Sequence, residues 1–359
     1  MDERVFHAKV GHAIPEWDYR HRLPISGCIG PELRDSGTIF RINSTFMDVS
    51  DQPHMIRHWL ACASLIACLS MLIFLYAATT VLIIYPPTHG DAVDIAMVAL
   101  VTLSPIFFGF ITVKLGREEF FSLTRRPIRF NRKNKKIYAI RKREHTGGHI
   151  TGDICCEVPW GQESMFCVHK GPAKLGLHEH YHIRCYRLDA AGNVLSSFAL
   201  GREWQGTAGM RDLLAQWNYW CDYMNIGPEK LPRPLLYLSE YEDLSEAISY
   251  CGYGTGSDMG KGVRTFYAPF AIFLSIFRMI SMSTCRQPVW PDEVLDVSRV
   301  AISDPYDEPK STTPVGWVAT EKALVGLYLQ TPFGINYEWN GDSDPIANAQ
   351  RWQGNGMVE

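Results

Sequence analysis

The chain has 359 residues, of which 46% are hydrophobic and 20% are charged, and its formal net charge is −3. This length allows one or two packed domains in addition to membrane segments. The charge is unevenly distributed along the chain, but no nucleic-acid-binding motif accompanies the basic residues, so nucleic acid is not expected as a partner.

Residues 1–58 carry mixed charges, and the first long apolar run starts only near residue 59. That position is too far from the amino terminus for the apolar core of a cleavable signal peptide. We therefore expect residues 1–58 to form a cytoplasmic segment and the first apolar run to be retained as a membrane anchor.

Two long runs without a charged residue follow, at 60–85 and 95–113. At about 1.5 Å per helical residue, each run reaches roughly 28 Å or more, which approaches the ~30 Å hydrocarbon core of a bilayer. The pair predicts a transmembrane helical hairpin over residues 59–113. The alternative, two core helices of a soluble protein, is disfavoured by the length of the runs.

A basic segment follows the second run. From Lys114 to Arg143 there are twelve Lys or Arg residues, against the acidic residues Glu118 and Glu119. Because Lys and Arg are enriched on the cytoplasmic side of membranes, this asymmetry predicts that both termini are cytoplasmic. The same charges can contact anionic lipid headgroups, at about 1 kcal/mol each near the surface. Seven residues are assigned to headgroup contact or to orientation of the hairpin: Arg125, Arg126, Arg129, Arg132, Lys133, Lys135 and Lys136.

Residues 114–225 are predicted to form a cytoplasmic antiparallel β-domain closed by an amphipathic helix. Six short stretches have strand-like composition: 127–132, 136–141, 154–160, 164–170, 181–188 and 194–201. The Ala190–Asn193 segment between the last two is a hairpin signal. Apolar side chains then recur at helical spacing from Thr207 to Asn225. The expected fold class is therefore an α+β membrane protein.

His178, His180 and His182 are the candidate metal ligands, because alternate residues of a strand share one face. A solvated or membrane-facing strand end is the alternative interpretation of this cluster. Since the remaining ligands of a complete site cannot be named, no metal or cofactor is expected.

Residues 226–303 are predicted to be helical, with a short apolar segment at 266–282 that contains Pro269 and Arg278. The twelve uncharged residues from Phe266 to Phe277 favour a buried or interfacial helix over a full crossing. Trp290, in a segment fixed by flanking prolines, is either a partner-docking residue or a simple corner. Residues 304–359 form an acidic, partly irregular tail.

No catalytic pattern is complete in this sequence. The glycine-rich segment 252–262 departs from a phosphate loop, because Thr255 replaces a required Gly and Gly262 stands where Ser or Thr would bind magnesium. The ten cysteines include no CxxC pair and no zinc-ligand spacing, and in a cytoplasmic domain they are expected to be reduced. The sequence thus predicts a protein that is not an enzyme.

The order of a two-helix hairpin, six strands and a helix over residues 60–225 resembles the membrane-tethered pleckstrin-homology-like (PH-like) domains of bacteria. The resemblance depends on the strand pair 127–132 and 136–141 and on Val158, Pro159 and Trp160 at the next turn. It implies a small curved sheet plugged by the closing helix.

A second resemblance covers much of residues 50–300. The segments 117–141, 158–160 and 278–294 look like a family of proteobacterial membrane proteins of unknown function that are often encoded beside type VI secretion effectors and their spike proteins. This resemblance implies a role near toxin secretion, in immunity or effector handling. With the two predicted spans, the expected location is the bacterial inner membrane. It carries no active-site residue over to this chain.

Two functional hypotheses follow. In the first, the chain is an immunity or accessory protein that binds a cognate secreted toxin, and its acidic tail suits a basic effector. In the second, it is a membrane-associated lipid or signal sensor without catalytic activity that uses its basic segment against anionic headgroups.

Overall fold

The computed structural model describes residues 10–30, 32–35, 37–84, 92–142, 153–171, 180–234, 236–256 and 261–324. The elements before the basic segment are α1 (Glu16–Arg20), β1 (Arg22–Leu23), β2 (Ile39–Ile42), β3 (Phe46–Val49), α2 (Gln52–Thr79, continued by a π-helical turn at Thr80–Ile84) and α3 (Ala92–Glu119). The next are β4 (Ile128–Asn131), β5 (Lys136–Lys142), β6 (Asp153–Pro159), β7 (Ser164–Gly171), β8 (His180–Leu188), β9 (Val194–Gln205) and α4 (Gly206–Asn225). The last are a 3₁₀ turn (Pro228–Lys230), α5 (Leu244–Gly256), α6 (Lys261–Thr284), α7 (Asp292–Val297) and α8 (Trp317–Leu324).

The chain forms two compact units. The sheet unit contains the described residues up to Met55, together with Arg125–Tyr241 and those from Pro288 onward. The helical unit contains Ile56–Thr124 and Glu242–Gln287. The chain therefore leaves the sheet unit twice, once at each stretch of the helical unit, and returns to it each time.

The sheet unit consists of two antiparallel sheets with the strand orders β2-β3-β4-β5-β6 and β1-β7-β8-β9. Helix α4 contacts β4, β8 and β9. Its Trp217 ring lies 5.5 Å from that of Trp160 and 5.1 Å from that of Phe166, and Trp220 lies 4.9 Å from Phe130. Because large aromatic side chains bury 150–250 Å² each, this cluster supplies much of the core.

The structure confirms the α+β class and the antiparallel strands predicted over 127–201, which correspond to β4–β9. It divides these strands between two sheets, whereas the resemblance to PH-like domains implied one. It also places β1, β2 and β3 in the segment 1–58, where no strand was predicted. Strands β1, β2 and β3 have two, four and four residues and show no recognisable alternation of apolar and polar side chains. Strand β4 is equally short, and it was recognised as the partner of the longer β5.

The helical unit contains three helices that are long and apolar enough to cross a membrane: Arg57–Ile84, Ala92–Arg117 and Thr265–Thr284. Helices α2 and α3 meet where the Phe74 and Phe108 rings stack at 5.5 Å and where Gly109 faces Met71. The third helix is longer than the uncharged segment suggested, because it continues through Arg278. That guanidinium does not end the helix, since Glu242 neutralises it inside the fold.

Candidate functional site

A buried ionic cluster lies where α2 begins and where α3 and α6 end. The Arg57 guanidinium donates from Nη1 to the Glu119 carbonyl and to Ser281 Oγ, both at 3.0 Å, and from Nη2 to the Leu123 carbonyl at 2.6 Å. Its Nη1 is 3.4 Å from Oε1 of Glu119. A cation beside the last carbonyls of a helix also interacts favourably with the helix dipole, so Arg57 binds the end of α3 in two ways.

A second buried pair links α6 to Glu242, which lies two residues before α5. Arg278 donates from Nε and Nη2 to the two carboxylate oxygens of Glu242, each at 2.6 Å, and its guanidinium stacks on the Tyr250 ring at 3.9 Å. His58 is buried in the same unit, and neither of its ring nitrogens has a hydrogen-bond partner among the described residues. We name these groups, Arg57, Glu119, Ser281, Arg278, Glu242 and His58, the ionic cluster.

The chemistry of the ionic cluster is that of paired charges held out of water. A buried guanidinium–carboxylate pair is tolerated only with close geometry and further favourable contacts. Arg278 has the close geometry, with two hydrogen bonds to Glu242 and a stacked Tyr250. Arg57 relies instead on its hydrogen bonds to two backbone carbonyls and Ser281. Ionisable side chains on apolar helices are rare and mark sites at which a membrane protein holds its helices together or does its work. None of these pairings was predicted, because the partners are 62 and 36 positions apart in the chain.

The sheet unit holds several of the basic residues assigned to lipid headgroups. Arg129 is buried and donates to both carboxylate oxygens of Asp48 at 2.7 Å. Arg125 is buried, lies 2.7 Å from the Glu240 carboxylate and stacks on Phe40 at 4.8 Å. These two side chains face protein partners, which leaves them unable to reach a lipid phosphate in this conformation.

The remaining five basic residues are more accessible. Arg132 donates to the Ile226 carbonyl at 2.7 Å, Lys135 donates to the Met224 carbonyl, and Lys136 lies 2.5 Å from the Glu157 carboxylate. Desolvation, reinforced by the Arg132 charge, lowers the pKa of Lys135. Lys133 is exposed and Arg126 is half-buried. Of the seven residues, Arg125 and Arg129 are buried against protein partners, whereas Lys133 and Lys135 are exposed.

Of the three candidate histidine ligands, His178 lies outside the described residues. His180 and His182 are both buried on β8, with His180 Nδ1 3.7 Å from the Glu203 carboxylate. The His182 ring lies 4.9 Å from that of His169, its partner on β7. Within the part of the chain that the structure describes, no three His, Cys, Asp or Glu side chains are grouped to hold a metal ion.

A polar network that the sequence analysis missed lies beside these histidines. The buried Asp18 carboxylate of α1 accepts from His169 Nδ1 at 2.8 Å and from the Tyr186 hydroxyl, and it lies 3.7 Å from Arg184. Burial raises the pKa of the neighbouring Cys167 thiol, which is thus kept in the unreactive protonated form. We interpret the network as the contact that attaches α1 to the sheet of β7 and β8.

Trp290 is half-buried, and the Arg129 guanidinium stacks on its ring at 4.7 Å. The more exposed apolar side chain in that segment is Val289, which is 82% exposed. The pattern of prolines located the segment but could not tell which of the two side chains faces solvent.

The described part of the acidic tail is folded into the sheet unit. Glu308 is buried against Arg233 at 3.2 Å, and Asp304 accepts hydrogen bonds from the backbone and hydroxyl of Ser44, both at 2.8 Å. Asp307 binds Arg41 through two hydrogen bonds of 3.0 Å. These carboxylates are engaged within the protein, so the tail has less free negative charge than its composition suggests.

Comparison with known proteins gives one match. Residues 105–301, more than half of the chain, match the model described as "Family of unknown function (DUF6708)". The match runs from within α3 to just after α7. No curated protein and no solved structure matches the chain.

Proposed function

We propose that this chain, which belongs to the DUF6708 family of unknown function, is a membrane-anchored protein that binds a secreted toxin. In this proposal α2 and α3 cross the bacterial inner membrane, both termini are cytoplasmic, and the sheet unit is the binding module. The proposal assigns the chain no catalytic step.

The observation that carries the membrane anchor is the exposure of α3. No residue of Ala92–Arg117 is buried in the structure, although this helix is apolar enough to cross a bilayer. A soluble monomer rarely exposes such a continuous apolar surface, because removing it from water is favourable by about 25 cal/mol per Å². The apolar surface of α3 is therefore more stable in the hydrocarbon core of a membrane than in water.

Support for a toxin as the partner comes from the resemblance of segments 117–141, 158–160 and 278–294 to proteins encoded beside type VI secretion effectors. The two-sheet architecture with α4 against β4, β8 and β9 is compatible with the PH-like plan, in which a sheet is plugged by a helix. Such a module presents sheet edges and loops on which a protein partner can dock.

The lipid-sensing alternative receives less support. A headgroup site needs several basic side chains that are free to converge on phosphate, whereas Arg125 and Arg129 are buried against carboxylates. The exposed charges near Lys133 suffice for orienting the hairpin by the positive-inside rule.

The test is protection. The gene is deleted from its host, the mutant is challenged with sibling cells that carry an active type VI apparatus, and the chain is restored on a plasmid. Death of the deletion strain and rescue by the plasmid are expected. Unchanged survival of the deletion strain would exclude immunity. Carbonate extraction of the membranes separately tests the anchor, since an integral protein stays in the pellet.

A further inference from the structure

We propose that α5 and α6 form a hairpin that enters the bilayer from the side of the sheet unit and returns to that side, with one face of α6 in contact with lipid acyl chains. The inference deepens the proposed membrane anchor and rests on it. Thr265–Thr284 is long and apolar enough to cross a membrane. In this proposal it enters the membrane but does not cross it.

The two ends of Glu242–Gln287 lie in the same folded unit, which limits how often this stretch can cross the membrane. Residues on both sides of the 242–287 stretch belong to the sheet unit: Tyr237 pairs with Val315, and Asn131 donates to the Val297 carbonyl at 3.1 Å. A folded unit in water lies on one side of a membrane, so Glu242–Gln287 must cross an even number of times. A single crossing by α6 would pull these paired segments apart.

The first stretch of the helical unit, Ile56–Thr124, must also cross the membrane an even number of times. Strand β3 precedes α2, strand β4 follows α3, and the two pair antiparallel from Phe46↔Asn131 to Val49↔Ile128. Helices α2 and α3 are each long enough to cross, so the stretch Ile56–Thr124 crosses the membrane twice and ends on the side where it began. The basic residues after α3 then stand on the side of the sheet unit.

Helix α5 is too short to cross a bilayer. Helix α5 has 13 residues, and at about 1.5 Å per residue it spans roughly 20 Å, which is short of a ~30 Å hydrocarbon core. It packs on α6 through Cys251, which lies in one cluster with Ala271 and Leu274. A hairpin with one arm this short can enter a bilayer but cannot cross it twice.

Helix α6 has one buried face and one exposed apolar face. Ala271, Leu274, Ser275, Arg278 and Ser281 are buried. The opposite face exposes Phe266, Phe270, Phe273 and Ile280, which recur at intervals of three, four and seven residues. Helix α6 has three charged residues. Lys261 and Arg264 lie at its amino-terminal end, and Arg278 is buried on the inner face against Glu242.

The identity of the occupant follows from the neighbouring helix. The Phe270 ring lies 5.6 Å from Trp59, close to the start of α2, so the exposed face of α6 adjoins the surface of a proposed span. A face continuous with a membrane-spanning helix meets the same solvent. We therefore assign lipid acyl chains, and not a protein partner, to this face.

The first experiment determines the sides of the two ends. The full-length chain carries different epitope tags at its two termini, and protease accessibility is compared in spheroplasts and inverted membrane vesicles. We expect both tags on the cytoplasmic side. Tags on opposite sides would overturn the hairpin while leaving the anchor intact, whereas loss of the protein from carbonate-washed membranes would overturn the anchor itself.

The second experiment tests lipid contact in the full-length protein in native membranes. Photo-reactive benzoylphenylalanine replaces Phe266 or Phe273, and Val289 in the sheet unit serves as the exposed control. Cross-linking to phospholipid, detected by mass spectrometry, is expected at 266 and 273 but not at 289. Equal lipid yields at all three positions, or none at 266 and 273, would overturn the proposal.

A third measurement distinguishes a hairpin that enters from one that crosses. Phe266→Cys is treated with a membrane-impermeant maleimide from the periplasmic side, and its labelling is compared with that of the parent chain. No increase over the parent is expected. An increase would show that the amino-terminal end of α6 reaches the far surface, which would overturn the proposal.

Discussion

Glu119 is the acidic partner of Arg57 in the ionic cluster and also accepts a hydrogen bond of 3.0 Å from Ser281. Removing one charge of a buried pair leaves the other desolvated, which costs about 3–5 kcal/mol. We expect Glu119→Gln to lower the melting temperature of the detergent-solubilised protein clearly. The matched control is Asp296→Asn, which removes a surface ion pair with Arg299, a side chain that is 80% exposed. Loss of this pair should cost at most about 1 kcal/mol. Equal melting temperatures of the two variants would contradict a structural role for the ionic cluster.

The buried His182 should make the protein less stable at acidic pH. Burial, with the charges of His169 and Arg184 beside it, holds the pKa of His182 well below its ordinary value. In the unfolded chain this pKa returns to about 6.5, so below that pH the unfolded state binds a proton that the folded state does not. The free energy of unfolding therefore falls as pH decreases below about 6.5, by up to about 1.4 kcal/mol per pH unit.

The variant His182→Gln lacks this titration. Melting temperatures of parent and variant are measured at pH 7.5, 6.5 and 5.5, and the parent should lose more stability than the variant on acidification. Parallel curves for the two proteins would show that His182 is not the group responsible.

At the scale of elements, the fit between β9 and α4 depends on Gly201. Its φ is +68°, and a Cβ there would lie 2.7 Å from Cη2 of Trp220. Gly201→Ala adds about 1–3 kcal/mol of overpacking to about 1 kcal/mol for the left-handed backbone. We expect a lower melting temperature, measured by intrinsic tryptophan fluorescence. Gly161→Ala is the control, because nothing lies within 4 Å of its Cβ position. Equal melting temperatures of the two variants would show that the close approach of Gly201 to Trp220 does not contribute to stability.

The elements also show how far sequence patterns reach. Strands β5–β9 contain seven to twelve residues each and alternate well enough to be recognised, and the apolar spacing from Thr207 identified α4. Strands β1–β3 give no such signal: β2 pairs with the equally short β3, and the other partners, β7 for β1 and β4 for β3, lie far along the chain. Helix α6 runs from Lys261 to Thr284, whereas the predicted apolar segment covered 266–282. Most of the missing residues lie at its amino-terminal end, where Lys261 and Arg264 interrupt the apolar pattern.

Contacts between distant residues set the limit for the candidate site. Asp18 and His169 are 151 positions apart, so no spacing rule connects them. By contrast, the facing of His169 and His182 follows from the register of β7 and β8, and a correct hairpin alignment would have found it. The basic segment was located correctly by composition, but composition could not tell that Arg129 would be buried against Asp48.

For the whole molecule, the open question within the proposed function is which part of the chain meets the toxin. The family match begins at residue 105, within α3, and so covers the strands after the hairpin, α4, α5 and α6 but not α2. If the shared part is the binding part, the outer portion of the hairpin is an anchor whose detailed sequence is replaceable. The ionic cluster lies at the other end of that hairpin, so an exchange can leave it intact.

We therefore expect a chain in which residues 66–104 are exchanged for an unrelated apolar hairpin of equal length to protect the deletion strain as well as the parent does. The exchange keeps Arg57, His58 and Glu119 and alters only the parts of α2 and α3 beyond them, together with their connection. The control is Asp48→Asn, which leaves the hairpin unchanged but breaks the Arg129 pair in the sheet unit and should reduce protection. Protein levels in carbonate-washed membranes are measured for both. Loss of protection by the exchanged chain at an unchanged membrane level would place the toxin contact in the hairpin, on the periplasmic side, and would contradict a binding role for the sheet unit.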